Sequence, residues 1–380
     1  MGDYVRQMPH QGSDDMARRP SAAMRFHIDV PLLLLLIALT VYGLFVLYSA
    51  SGQNMGAVVR QGRYFIVAYC IMILGAQISL QRYMRWAPWL YLMGIASLVA
   101  VMLVGVGAKG AQRWLEIGGF RFQPSEIMKL MVPMAVAWYL ADRTLPPRFN
   151  SVLIALVLVG IPAVLILQQP DLGTALLIAS SGLFVLFVAG IGWRYIFGAV
   201  ILAIASAWPA WMFVLKDDQK QRILTMLNPE TDKLGAGWNI IQSKTAIGSG
   251  GWSGKGWMKG TQSQLDFLPE SHTDFIIAVL AEEYGLRGIL MLMGIYLLIL
   301  LRGFWIGIRA QTSFGRMMAG SLTLTFFVYI FVNMGMVAGL LPVVGVPLPL
   351  VSAGGTSVVT LMAGFGVLMA VSTEKRMVAH

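Results

Sequence analysis

Charged residues are scarce in this sequence of 380 residues: only 12% are Asp, Glu, Lys or Arg, whereas 57% are hydrophobic. A soluble domain carries about twice that share of charge, roughly a quarter of its residues. The scarcity excludes an ordinary soluble protein and indicates a polytopic membrane protein. The net charge of +10 then points to cytoplasmic loops and anionic headgroups, and not to nucleic acid as a partner.

Cysteine and histidine are also rare. The single cysteine, Cys70, excludes an intramolecular disulfide and any metal site built from several cysteines. Two of the four histidines precede the first apolar run and one ends the chain, so a histidine-built metal site is not expected. The sequence also has no P-loop, dinucleotide-binding glycine pattern or zinc motif.

Long apolar runs dominate what is present. About 20 apolar residues cross a bilayer as a helix, and ten such segments occur, at about 30–49, 63–80, 86–106, 125–141, 151–167, 172–191, 195–215, 274–301, 316–340 and 356–371. With the N-terminus inside, the predicted cytoplasmic segments hold fourteen Arg and Lys residues against five in the short outer loops, as the positive-inside rule requires. We therefore predict an all-α membrane protein, a bundle of about ten transmembrane helices with both termini cytoplasmic.

The domain boundaries follow from the same pattern. Residues 1–28 are predicted to form a disordered cytoplasmic tail, 29–372 the transmembrane domain and 373–380 a cytoplasmic C-terminal tail. The long polar segment 216–273 follows the seventh predicted helix, so it is predicted to be a large extracytoplasmic loop between helices 7 and 8. Its tryptophans and a short predicted helix at 239–247 indicate contact with the membrane surface; a flexible loop anchored by aromatic residues is the alternative.

Ionisable residues inside the predicted spans are costly and are usually paired or functional. Glu126 and Lys129 share a face of the fourth predicted helix, and Asp171 opens the sixth. Two compatible interpretations stay open: Lys129 pairs with Asp171 and locks the two helices together, or the three residues line a polar cavity that binds a headgroup. Farther along, Glu283 and Arg287 have the spacing of a helical ion pair.

The positive residues on the predicted outer side are exceptions to the positive-inside rule. Arg113 lies between the third and fourth helices, and Arg222 lies in the large loop. Guanidinium groups match phosphate oxygens, so an anionic ligand explains them, although ordinary lipid headgroups do as well. The segment 339–356 is too apolar for a solvated loop and too rich in Pro and Gly for a helix, which predicts a re-entrant segment packed inside the protein.

Asp274 closes the large polar segment, where the eighth predicted helix begins. An acid at this position is either a helix cap or a general base toward a hydroxyl group. Carboxylates beside cations at a membrane surface suit the transfer of a sugar from a lipid pyrophosphate to a hydroxyl acceptor.

Four motifs then resemble one family. They are Gly-Thr-Gln-Ser-Gln-Leu-Asp-Phe-Leu-Pro-Glu-Ser-His-Thr-Asp-Phe at 260–275, Gln-Pro-Ser-Glu-Ile-Met-Lys at 123–129, Gln-Pro-Asp-Leu-Gly-Thr at 169–174 and Pro-Leu-Pro-Leu-Val-Ser-Ala-Gly-Gly-Thr-Ser at 347–357. In this order they resemble the SEDS family (shape, elongation, division and sporulation) from about residue 28 to the end. The Gly-Thr-Gln-Ser-Gln run resembles its elongation (RodA) branch rather than its division (FtsW) branch.

The resemblance implies a peptidoglycan glycosyltransferase that polymerises lipid II at the outer face of a bacterial cytoplasmic membrane during cell elongation. Asp274 matches the family's essential acid, and the other matching functional positions are Arg113, Glu126, Lys129 and Asp171. A class B penicillin-binding protein and other membrane proteins of an elongation complex are the implied partners. No cofactor is assigned, and participation of a divalent cation, Mg²⁺ or Mn²⁺, stays open. The competing hypotheses are a flippase for the lipid-linked precursor and a non-catalytic scaffold.

Overall fold

A computed structural model describes residues 27–108, 111–117, 120–215, 217–232, 235–264 and 270–374. The predicted tails, 1–28 and 373–380, lie almost entirely outside these residues, and so does Asp266. The described part of the chain is mostly helical. Within the described residues the α-helices are α1 Val30–Ala50, α2 Met55–Ala76, α3 Leu80–Val104, α4 Pro124–Ala141, α5 Phe149–Gln168, α6 Leu172–Val188, α7 Trp193–Pro209, α8 Asp217–Leu227, α9 Ala236–Gly250, α10 Thr261–Gln264, α11 Ile276–Arg309, α12 Ser313–Val337 and α13 Thr356–Ser372.

Each of the ten predicted apolar segments overlaps one of these helices. Among the described residues, α1, α2, α3, α5, α11 and α12 are long and apolar enough to cross a membrane, and α6, α7 and α13 are apolar but shorter. A π-helical turn, Ala210–Val214, continues α7. In the bundle α13 packs along α2, α12 against α6 and α11, and α4 against α3 and α6. The fold is therefore that of a mostly helical, multi-pass membrane protein.

The prediction of purely α structure misses a small antiparallel sheet between α3 and α4. Its strands are β1 Val106–Ala108, β2 Ala111–Ile117 and β3 Phe120–Phe122, in the order β1-β2-β3. Trp114 lies opposite Val106, and Leu115 opposite Phe122. These aromatic and branched side chains suit a pleated, half-buried surface, which a composition argument aimed at spans does not consider.

The predicted outer loop, 216–273, is folded where the structure describes it. It contains α8, a 3₁₀ turn at Pro229–Thr231, α9 and α10. The short helix predicted at 239–247 exists as the longer α9, but one face of it packs on the protein. Ile240, Ser243 and Ala246 are buried at helical spacing, and the Ser243 hydroxyl donates to the carbonyl of Val337 at 2.8 Å.

Helix α11 is broken at Gly285, where φ is 64° and ψ is −157°. Only glycine adopts such angles readily. The break leaves backbone groups of α11 without helical partners, and the predicted outer loop, called the outer segment below, forms hydrogen bonds with them. Leu286 N–H donates to the carbonyl of Gly251 at 2.9 Å, and Lys255 N–H donates to the carbonyl of Glu282 at 2.9 Å. The predicted pair of Glu283 with Arg287 is wrong, because the break lies between them and removes the helical spacing.

The side chain of Glu282 also binds the outer segment. The carboxylate is fully buried and accepts hydrogen bonds from Lys255 Nζ and from the backbone N–H of Thr261, both at 2.7 Å. A buried carboxylate with a cation and an amide donor is stable only while these partners stay in place. The outer segment is thereby fixed to the first turns of α11, directly after Asp274.

The segment between α12 and α13 is non-helical and lies inside the protein, as predicted. Leu348, Leu350 and Val351 are buried. Its backbone is hydrogen-bonded by other elements: Tyr296 Oη donates to the carbonyl of Pro349 at 2.7 Å, and Gly354 N–H donates to Gln61 Oε1 at 3.1 Å. Irregular backbone at this depth requires such partners.

Asp29 joins three helices at the opposite end of the bundle from Asp274. It caps α1 through the N–H of Leu32 at 3.1 Å, and Arg302 of α11 donates to both of its oxygens at 3.0 and 2.8 Å. Ser372 at the end of α13 donates to it as well. Burial raises the pKa of Asp29, but these hydrogen bonds and the Arg302 charge outweigh it, so the net pKa lies below the ordinary value.

We expect Asp29→Asn to lower the melting temperature in detergent at neutral pH by roughly 3 °C, because charge-assisted hydrogen bonds are lost. A depressed carboxyl pKa contributes stability above the unfolded value of about 3.9, and this stability is lost as the pH falls below it. The difference between wild type and variant should therefore shrink on acidification from about pH 6 to pH 3. Asp142→Asn, at an exposed position after α4, is the matched control. A difference that grows in acid would contradict the assignment.

Candidate active site

One polar cavity of about 330 Å³ lies where α4, α6, α8 and the start of α11 meet the re-entrant segment. Every residue that the sequence marked as a site residue lines it, and these are Arg113, Glu126, Lys129, Asp171, Arg222 and Asp274. They come from five different parts of the chain, since Glu126 and Lys129 both belong to α4. The cavity is large enough for a sugar-sized polar group, and its lining carries both signs of charge.

Asp274 lies in a turn that precedes α11 and is half-buried. The turn is held by Glu270, which accepts from the Thr273 hydroxyl at 2.8 Å and, through its carbonyl, from Phe275 N–H at 3.2 Å. The helix begins at Ile276, and Phe275 occupies its N-cap position. Asp274 is therefore not the N-cap of the helix, and that alternative is wrong.

The re-entrant segment comes close to the Asp274 carboxylate. A Cβ atom at Gly345 would lie 3.6 Å from Asp274 Oδ2, and Gly345 has a φ of +72°. Glycine is suited to this left-handed conformation and leaves space beside the carboxylate. His272 contributes through its backbone, because its carbonyl accepts from Ala353 N–H at 3.0 Å.

Asn333 of α12 fixes the position of Asp274, although the sequence did not single it out. It is fully buried, and its Nδ2 donates to the carbonyl of Asp274 at 2.9 Å and to that of Val346 at 2.8 Å. The side-chain amide of Asn333 thus joins the turn that contains Asp274 to the re-entrant segment. A buried amide in an otherwise apolar span is the signal that could have found it.

We expect Asn333→Asp to lower kcat by as much as about 100-fold with little change in KM, because misplacing a reacting group is that costly. The new carboxylate loses both donors and faces two carbonyl oxygens. Asn54→Asp is the matched control, since Asn54 caps α2 at an exposed position and Asp is an equally good cap. Kinetics of glycan synthesis on folded, monodisperse protein would measure the effect, and unchanged kcat would contradict the role.

Arg113 and Asp171 form one of the two charged pairs of the cavity. Arg113 Nη1 lies 3.6 Å from Asp171 Oδ2, and its guanidinium also donates to the carbonyls of Gln169 and Pro170. Asp171 caps α6 by accepting from Thr174 N–H at 3.1 Å. Arg113 reaches this place because β2 lies over the ends of the helices, which the sequence did not reveal.

Lys129 and Glu126 form the second pair. Lys129 Nζ lies 2.6 Å from Glu126 Oε1, one turn earlier on α4, and 5.0 Å from the ring centroid of Tyr329. Thr360 of α13 donates to the other carboxylate oxygen at 3.3 Å. The predicted pair of Lys129 with Asp171 is therefore wrong, because each residue has a nearer partner of opposite charge.

Arg222 of α8 is exposed, and its Nη1 donates to the carbonyl of Val343 at 3.0 Å. Among the three cations of the cavity, and within the described residues, it is the one without a carboxylate partner. The described part of the chain contains no group of three or more His, Cys, Asp and Glu side chains arranged to hold a metal ion. The site thus combines one carboxylate at a turn with cations on the facing walls.

Known proteins share this architecture. A chain from a peptidoglycan synthase complex that couples polymerization and crosslinking superposes with a TM-score of 0.81 at 29% identity, over 92% of this chain and 98% of that one. The rod shape determining protein RodA of Thermus thermophilus superposes with a TM-score of 0.70 at 26% identity, over 92% and 97%.

Sequence relatives agree. The chain is 54% identical to the peptidoglycan glycosyltransferase MrdB of Escherichia coli K12 over 93% of its length and 96% of that protein. It is 37% identical to a probable peptidoglycan glycosyltransferase FtsW of Geobacter metallireducens, over 92% and 95%. Residues 30–377 match the FTSW_RODA_SPOVE family, described as "Cell cycle protein". The chain therefore belongs to the FTSW_RODA_SPOVE family, as the motifs of its sequence predicted.

Proposed function

We propose that the chain polymerises lipid II into glycan strands at the outer face of the cytoplasmic membrane during cell elongation. The observation that carries the proposal is the single cavity in which Asp274 faces Arg113, Lys129 and Arg222. Relatives over nearly the whole chain are named peptidoglycan glycosyltransferases, and the chain is an enzyme of that class.

In the proposed reaction Asp274 acts as the general base. It accepts the proton of the acceptor sugar's 4-hydroxyl group while that oxygen attacks the anomeric carbon of the donor. The bond between the anomeric carbon and the pyrophosphate oxygen breaks, and undecaprenyl pyrophosphate departs with the electron pair. Attack opposite the leaving group inverts the anomeric centre.

The cations of the cavity stabilise the charge that develops on the leaving pyrophosphate. Arg222 is suited to first contact, since its guanidinium is exposed and is held only by the carbonyl of Val343. Arg113 and Lys129 are each already paired with a carboxylate. They supply positive charge that is partly compensated and firmly positioned, whereas Arg222 supplies an exposed guanidinium that matches phosphate oxygens.

The membrane arrangement is part of the proposal. Helices α1 to α7, α11, α12 and α13 are assigned as ten spans, with both termini cytoplasmic and the segment 216–273 outside. This places the cavity at the outer surface, where a lipid-linked sugar presents its headgroup. The excess of Arg and Lys in the predicted cytoplasmic segments supports this orientation.

A class B penicillin-binding protein is the proposed partner, together with other membrane proteins of an elongation complex. One structural relative belongs to a synthase complex that couples polymerization with crosslinking. A transpeptidase beside this cavity would receive the new strand as it leaves.

The test is a polymerisation assay with purified protein, fluorescent lipid II and the penicillin-binding partner, with and without EDTA. Glycan strands in the complete reaction support the proposal, and loss of product with EDTA that added Mg²⁺ or Mn²⁺ restores would assign a metal requirement. Translocation of lipid II across liposomes without polymer would instead favour the flippase hypothesis. A fully active Asp274→Ala protein would favour the scaffold hypothesis.

A further inference from the structure

An apolar crevice continues from the polar cavity into the membrane part of the bundle. It lies between α4, α11, α12 and α13 and shares Glu126, Lys129 and Tyr329 with the cavity. Beyond these three residues its walls are mostly apolar, down to Leu368 near the end of α13, and the exceptions are Thr323, Thr325 and Thr360. The two spaces thus meet at the charged pair of α4.

The crevice is long and narrow. From Thr360 to Leu368 it follows α13 for roughly 12 Å, at 1.5 Å per residue. This is close to one leaflet of a bilayer whose apolar core is about 30 Å thick. Its volume is about 40 Å³, against about 330 Å³ for the polar cavity. A space of this size leaves room for a single hydrocarbon chain but not for a sugar.

The side chains of the crevice wall are the next observation. The hydroxyl of Thr323 donates to the carbonyl of Ala319 at 2.7 Å and that of Thr360 donates to Glu126 at 3.3 Å. Within the described residues, the buried hydroxyl of Thr325 has no hydrogen-bond partner. Four leucines of the wall are partly exposed, and we call them the rim of the crevice: Leu130, Leu300, Leu322 and Leu361.

We infer that the crevice binds the polyprenyl chain of the lipid-linked sugar donor, with its pyrophosphate at Lys129 and its sugars in the polar cavity. The inference rests on the proposed function and adds to it the site of the lipid. An ordinary phospholipid would fill the crevice and leave the sugar-sized cavity unused. A ligand with a chain, a phosphate and a sugar in that order uses both spaces and the cation between them.

Filling the crevice provides the first test. A Cβ atom at Gly364 would meet only Leu322 Cδ2, at 3.5 Å, so Gly364→Leu fits the backbone and places its side chain in the crevice. Gly294→Leu on α11 is the matched control, because a Cβ there has no neighbour within 4 Å and the position lies outside the crevice. Leu361→Trp, at the rim, is a second blocking variant should Gly364→Leu fail to fold.

We expect Gly364→Leu to raise KM for a donor with an undecaprenyl chain about tenfold, as when about two methylene groups lose their burial. KM for the same donor with a chain of one isoprene unit, which ends within the single helical turn between Thr360 and Gly364, should be unchanged. Gly294→Leu should match wild type with both donors. Equal KM changes for long and short chains, or none, would overturn the inference.

A binding measurement separates this inference from the proposed function. Polyprenyl pyrophosphate that carries a photoreactive diazirine is cross-linked to the purified protein, and the labelled peptides are identified by mass spectrometry. Labelling of α12 and α13 that Gly364→Leu or Leu361→Trp removes, and Gly294→Leu does not, supports the crevice even if wild type forms no polymer. Labelling that excess phosphatidylglycerol abolishes, or that lies on helices other than α4, α11, α12 and α13, overturns it.

Discussion

Asp274→Asn abolishes glycan synthesis while the protein stays folded: this is the largest effect we expect. The amide cannot accept the proton of the acceptor hydroxyl, and general-base catalysis contributes about 10²- to 10⁴-fold. Asparagine has nearly the shape of aspartate, and the bond from Asn333 goes to the backbone carbonyl of residue 274, which the change leaves in place. Initial rates of lipid II polymerisation would measure the loss.

A control variant separates a loss of catalysis from a loss of folding. Asp217→Asn is the matched control, since Asp217 belongs to the same outer region and its side chain is fully exposed. Both variants should keep the melting temperature of wild type, and the control should also keep its rate. Asp274→Asn protein that polymerises at more than about a tenth of the wild-type rate would remove Asp274 from the role of base, because the loss would be smaller than a general base provides.

The helices of this fold could be predicted from the sequence because bilayer length and hydrophobicity determine them locally. The break at Gly285 could not. It depends on carbonyl and amide groups of the outer segment, some 30 residues away in the chain, that satisfy the freed backbone of α11. The sheet that carries Arg113 was missed for a similar reason, because three short strands leave no signal in an average over a membrane-length window.

The site residues could also be predicted, but their pairing could not. Glu126, Lys129 and Asp171 were marked because charge inside a span is costly. Which carboxylate Lys129 meets depends on the relative depth of α4 and α6 and on the reach of Arg113, none of which the sequence contains. Asn333 was missed because a single amide in an apolar helix is a weak signal until its two carbonyl partners are known.

The second large effect concerns the pair of Glu126 and Lys129, and a double variant is needed to interpret it. Each single change, Glu126→Gln or Lys129→Met, leaves a buried charge without its partner, which costs about 3–5 kcal/mol. We expect both single variants to melt well below wild type. Glu126→Gln/Lys129→Met removes both charges, so its melting temperature should return close to that of wild type.

Activity of the double variant then distinguishes a structural lock from a substrate contact. We expect it to polymerise lipid II about 100-fold more slowly than wild type, since removing one group that stabilises transition-state charge has about this effect. A double variant that is both stable and within threefold of the wild-type rate would show that the pair serves only to join α4 to its neighbours. Asp29→Asn/Arg302→Gln, which removes a partly buried pair outside the cavity, is the matched control. Its rate of lipid II polymerisation should stay within threefold of the wild-type rate, because neither side chain lines the polar cavity.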